Sequence, residues 1–76
     1  MKLYAVMIIG HSLIQRGNAM QVDLRQRLTI AVGYTQRQVE RDAEHEFSRE
    51  MLGCDDVYIT AREITPDEIE EVYKLA

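Results

Sequence analysis

The stretch "KLYAVMIIG", Lys2 to Gly10, decides the fold. Side chains along a strand point alternately to opposite faces. Leu3, Ala5, Met7 and Ile9 then point one way, and Tyr4, Val6 and Ile8 the other. Both sets are apolar. A short run that is apolar on both faces predicts a central strand with cover on each side, and Gly10 marks its expected end.

Outward from this strand the pattern changes. Residues 11–20, "HSLIQRGNAM", read as a connection with its turn at Gly17-Asn18. Val22, Leu24, Leu28, Ile30 and Val32 then recur at every second position, broken only by Gln26. Asp23, Arg25, Arg27 and Thr29 fill the other face. That alternation predicts a long amphipathic strand over 21–33. A helix from Met20 to Ala31 competes for the same residues. It fails because Val22, Ile30 and Val32 fall off its apolar stripe.

The next element carries its own punctuation. Thr35-Gln36-Arg37-Gln38 has the form of a capping box, flanked by Tyr34 and Val39 as a staple. Gly53 can close the far end in the left-handed conformation. Between them a helix is expected over 36–52, with Val39, Ala43, Phe47 and Met51 as its buried stripe. "DVYITAREI", 56–64, alternates again and predicts a strand. Thr65-Pro66-Asp67-Glu68 repeats the capping box, with proline at the first helical position. It opens a short terminal helix in which Ile69, Val72, Tyr73 and Ala76 face inward.

Connection rules assemble these pieces into one α+β domain over residues 1–76. The first two strands form an antiparallel hairpin. A right-handed crossover through the helix lays the third strand parallel to the second. The doubly apolar first strand belongs in the middle, so the expected order is 2-1-3. The topology is ββαβα, a split βαβ unit with an added C-terminal helix. If both helices share one sheet face, the other face is bare. On the central strand it would hold either Tyr4, Val6 and Ile8 or Leu3, Ala5, Met7 and Ile9. Exposed apolar surface of that extent calls for cover. A second copy of the sheet is the simplest cover, and Tyr4, Val6 and Ile8 are the expected self-association residues. The alternative is that the C-terminal helix folds over that face.

Bulk properties narrow the function classes. A chain of 76 residues buries only about 60–65% of its unfolded surface, which favours self-association. Cys54 is the only cysteine, so no disulfide forms within the chain and a reducing, cytoplasmic setting is expected. No apolar run reaches the ~18 residues that cross a bilayer. Lys2 before Leu3–Ile9 imitates a secretory signal, but there is no small-x-small cleavage site and cleavage would remove the best strand. Charge is split. Residues 1–38 carry five basic side chains and one acidic, net +4; residues 39–76 carry four and twelve, net −8. Two electrostatically different faces suit contacts with a partner of one sign.

Chemistry-bearing residues are few. On a helix His45 has Arg41 and Arg49 one turn away, and Glu44 and Glu46 point about 100° to either side. The zinc-protease spacing needs a second histidine where Arg49 stands. His45 therefore reads as solvated. His11 starts the connection after the first strand with no partner nearby in sequence, and reads as a loop histidine without a role. Pairing of Cys54 with either histidine in space is open, but nothing marks an orienting group or an oxyanion site. Asp55, Asp56 and Glu63 lack calcium-loop spacing, and Gly10, Gly17, Gly33 and Gly53 are too scattered for a phosphate loop. No catalytic, metal or cofactor site is expected.

The expectation is a small non-enzymatic protein-interaction module of bacterial or phage origin, a homodimeric adaptor or inhibitor of a host protein. Arg25, Arg27, Arg37, Arg41 and Arg49 are its expected partner-binding residues, with Glu40 and Glu44 placed to neutralise part of the helical row. The competing reading is a nucleic-acid-binding regulator using the same arginines. A pI near 5.0 and the absence of tryptophan oppose it. In length and element order the chain is similar to small phage-encoded proteins that bind and inhibit bacterial RNA polymerase. No motif is shared, so the resemblance carries over no functional residue.

Overall fold

In the computed structural model, which describes residues 1–75, β1 (Lys2–Arg16) pairs antiparallel with β2 (Ala19–Gly33) along its whole length. The register runs from Lys2 opposite Gly33 to Arg16 opposite Ala19. Two residues, Gly17 and Asn18, turn the chain. Gly17 takes φ 61° and Asn18 stays at negative φ, the pattern of a type II′ turn, which matches the twist of the flanking strands. β1 therefore runs six residues beyond its expected end at Gly10, and the expected connection is mostly strand. Gly10 does not stop the ladder; it is paired with both Arg25 and Val57. Its lack of a side chain makes room for Cys54 and Met51, which pack directly on it.

α1 (Gln36–Glu46) starts where its cap predicts. The Thr35 hydroxyl accepts from the Gln38 amide at 3.1 Å. The Gln38 side chain reaches one residue further back than a standard box, accepting from the Tyr34 amide at 3.0 Å. Thr35→Ala removes the cap and is expected to cost about 0.5–2 kcal/mol, read as a lower urea midpoint at unchanged slope. The helix ends at Glu46, not at 52. The Ser48 hydroxyl donates to the His45 carbonyl, and Arg25 of β2 donates to the carbonyls of Glu50 and Leu52 at 3.0 and 2.8 Å. These partners hold residues 47–53 as turns, which Gly53 closes at φ 85°. Val39 and Ala43 are buried in α1, and Met51 is buried beyond it with Phe47 packed alongside, so the expected stripe survives the early helix end.

β3 (Asp56–Ile64) pairs antiparallel with β1 from Leu3 to His11. The sheet order is β2-β1-β3, with β2 and β3 parallel to each other, as the split βαβ reading requires. A single 3-10 turn over Pro66–Glu68 leads into α2 (Ile69–Leu75). The Thr65 amide donates to the Glu68 carboxylate at 3.2 Å. That bond, more than the Arg62 guanidinium at 3.3 Å, holds the Glu68 carboxyl below its usual range. Val72 is buried, Ile69 is half-buried and Tyr73, expected inward, is exposed. Ala76 lies outside the described residues.

Strand alternation and register sort the sheet into two faces. The first holds Tyr4, Val6, Ile8 and Gly10 of β1, Arg25, Arg27 and Ala31 of β2, and Val57, Ile59 and Ala61 of β3. α1 packs on this face, and the core lies between them. The second holds Leu3, Ala5, Met7, Ile9, His11 and Leu13, facing the same way as Val22, Leu24, Leu28, Ile30 and Val32 and as Tyr58 and Ile64. Ile64 is buried, as is Val72, and neither belongs to the core under α1. α2 packs against β2, so it shelters the Ile64 end of the second face. The two expected covers are thus divided: one helix serves each face, and the second is covered only in part.

Candidate interaction surfaces

Tyr4, Val6 and Ile8 were expected to mediate self-association. The structure corrects this: they are 4%, 0% and 1% exposed, because α1 covers them within one chain. The open apolar surface is on the other side of the sheet. Met7, Ile9 and Leu28 are half-buried at its centre, and Leu13, Met20, Val22, Leu24 and Tyr58 are exposed around them. β1 and β2 also run past the end of β3. Ser12–Arg16 and Ala19–Asp23 pair only with each other, as a two-stranded ribbon. It helps to stretch the molecule to 49 × 24 × 15 Å. An isolated ribbon is marginal in water, and its apolar side, Leu13 and Val22 with Met20, continues the open face.

β2 sharpens the point. Val22, Leu24, Leu28, Ile30 and Val32 face away from α1, broken only by Gln26, while Asp23, Arg25, Arg27 and Thr29 face toward it. Arg25 and Arg27 use that position. Arg25 caps the carbonyls of Glu50 and Leu52, and Arg27 forms an ion pair with Glu50 at 2.9 Å beneath the Phe47 ring. Both were expected to bind a partner, and both are committed to holding the segment after α1. The register that puts Leu28 opposite Met7 follows from a two-residue turn at Gly17-Asn18. Had that turn been taken as the tip of a hairpin, the sequence would have shown which β2 face shares a side with Met7.

The remaining arginines are differently placed. α1 and the outer edge of β3 enclose a cleft of about 560 Å³. Ile8, Ala43, Phe47, Met51 and Ile59 line its floor, and Arg37, Arg41, Glu40, Glu44 and Ser48 its rim. The expected neutralisation of Arg37 and Arg41 does not occur. Glu40 turns instead to the Ala61 amide and the Gln36 side chain, both at 3.1 Å. Among the described residues no carboxylate lies within ion-pair distance of Arg37, Arg41 or Arg49.

The chemistry-bearing residues do not converge. His11 lies 3.4 Å from the Asp56 carboxylate and 5.9 Å, ring to ring, from Tyr58. This partner is 45 residues away in sequence, visible only once the β1–β3 register is known. Asp55 accepts from the Leu13 amide and donates its own to the His11 carbonyl, so it ties the turn to β1. Cys54 is a half-buried free thiol packed on Gly10, on the opposite face from His11. His45 is exposed on α1. Among the described residues no three His, Cys, Asp or Glu side chains are grouped as a metal site, and no helix is long and apolar enough to cross a membrane.

No family model matches the chain, and no curated protein or solved structure matches it either.

Proposed function

We propose that this chain is a non-enzymatic protein-interaction module, an adaptor or inhibitor of the cytoplasm, that self-associates through the second face of its sheet. One observation carries the reading: β2 turns its apolar side away from the helix that forms the core. Such an arrangement is costly for a monomer. The exposed area supports the same view. A folded monomer of 8.8 kDa is expected to expose about 4,800 Å². This chain exposes 5890 Å². The excess of about 1,100 Å² is on the scale of the ~800 Å² per partner that a standard interface buries. The second face is self-complementary in character: mostly apolar on β1 and β2, interrupted by His11 and Gln26, with the carboxylate and guanidinium of Asp56 and Arg62 on the β3 side. Two such faces stack as aligned sheets about 10 Å apart around a twofold axis.

Protein is favoured over nucleic acid as the partner because Arg25 and Arg27, the pair on one strand, are spent on intramolecular carbonyls and a carboxylate. The test is mass in solution. Light scattering at micromolar concentration is expected to give twice the chain mass of 8.8 kDa. Leu24→Glu with Leu28→Glu places charge on the interface, at one exposed and one half-buried site. That variant is expected to keep its circular dichroism and return the single-chain mass. A wild-type chain that already runs as a monomer overturns self-association.

A further inference from the structure

We propose that the cleft between α1 and β3 is a docking groove for an extended, acidic peptide segment of another protein, added as a short strand along β3. It lies on the opposite side of the sheet from the self-association face, so the two surfaces are independent and can be occupied together.

Three observations carry this. The first is the strand edge. β3 has no neighbour beyond it. The Ala61 amide points outward, where it meets Glu40. In an antiparallel strand the outward-pointing groups recur at every second residue, so the amides and carbonyls of Ile59 and Val57 also face outward. No side chain of the described residues bonds them. Glu40 thus closes the edge at Ala61 and leaves two residues of it open, and an added strand would use those groups as a sheet neighbour does.

The second is the floor. A strand added beside Val57 and Ile59 turns every second side chain toward α1. There the cleft offers Phe47, Met51 and Ala43, continuous with the core at Ile8. An apolar side chain fits that space. The third is charge. Arg37 and Arg41 stand on the rim with no carboxylate within ion-pair distance among the described residues. α1 runs opposite to β3, because it begins beside the Leu3 end of the sheet and delivers the chain to Asp56 at the His11 end. Glu40 sits beside Ala61, so Arg37 and Arg41 bracket that point, while Glu44 lies toward Val57. The positive end of the groove is therefore the Arg37 end. An occupant with an apolar residue at one position and Asp or Glu two residues away, on the Arg37 side, satisfies floor and rim together. Arginine forks recognise such carboxylates by paired, charge-assisted hydrogen bonds.

The test uses the full chain as bait for a phage-displayed library of random decapeptides. The expected result is enrichment of sequences with an apolar residue and an acid at a spacing of two. A fluorescein-labelled copy of the enriched peptide should then lose about tenfold or more in affinity for the Arg37→Ala, Arg41→Ala double variant. Arg49→Ala, away from the cleft, should bind as the wild type does. Because added strands bury the edge, hydrogen exchange at the Val57 and Ile59 amides should slow on binding. No enrichment, enriched peptides without carboxylates, unchanged affinity of the double variant, or unaltered exchange at those two amides overturns the proposal.

Discussion

Ile8→Ala is expected to cost about 3–5 kcal/mol, the upper part of the range for a buried isoleucine cut to alanine. The residue is 1% exposed in the central strand, between Arg27 of β2 and Ile59 of β3 and under α1. Strands on both sides fix the backbone, so the site collapses little around the missing atoms. A domain of this length holds roughly 4–11 kcal/mol in all, at 0.05–0.15 kcal/mol per residue. The substitution should therefore remove roughly a quarter or more of the total and lower the urea midpoint by about 2 M or more. Ile9→Ala is the control. The two are adjacent in sequence and equal in side chain, and they differ only in face. Ile9 is half-buried on the second face, so its loss should affect the fold less and the mass in solution more. Equal midpoints for the two variants would mean that α1 does not cover the first face as described.

That contrast shows what the sequence made legible and where it stopped. Alternation named both faces of β1 correctly, and the capping signals at Thr35 and Thr65 placed both helix starts. The order β2-β1-β3 followed from a strand apolar on both sides. The assignment of faces did not. Periodicity is blind to which side a helix packs on, since Tyr4, Val6 and Ile8 and Leu3, Ala5, Met7 and Ile9 are equally apolar. The choice came from the segment after α1, where Arg25 and Arg27 reach across to Glu50 and Leu52. These are contacts between residues some 25 positions apart, which no local pattern encodes. The arginines of α1 were legible as a row but not as a rim. Whether Glu40 neutralises them depends on the Ala61 amide, a partner 21 residues away.

Gly10→Ala is expected to destabilise the fold by about 1–3 kcal/mol, the usual cost of overpacking, with a fall in Tm on the order of 5–20 °C for a domain of this size. Two effects oppose each other at this site. Alanine in place of glycine restrains the unfolded chain and contributes about 0.4–1 kcal/mol of stability where the backbone allows it. Gly10 is ordinary strand, with no positive φ, so that gain is available. Against it, a methyl at this position would lie 2.7 Å from the sulfur atoms of both Cys54 and Met51 and 3.3 Å from the Cys54 β-carbon. The Met51 thioether can swing aside on its flexible chain. Cys54 has less room to give: its sulfur can only turn about χ1, while its β-carbon, 3.3 Å away, is set by the turn backbone, where the Cys54 amide donates to the Met51 carbonyl at 3.2 Å. The clash with Cys54 decides the sign. Cys54→Ala should then recover part of the loss, with a coupling of about 1 kcal/mol between the two sites in a double-mutant cycle read from urea midpoints. Additivity within ~0.3 kcal/mol would show that Cys54 does not rest on Gly10. In that case the segment 47–54 would be tied to the sheet by Arg25, the Glu50 ion pair and the buried Met51 with Phe47, and Arg25→Ala should speed hydrogen exchange at the Leu52 and Cys54 amides.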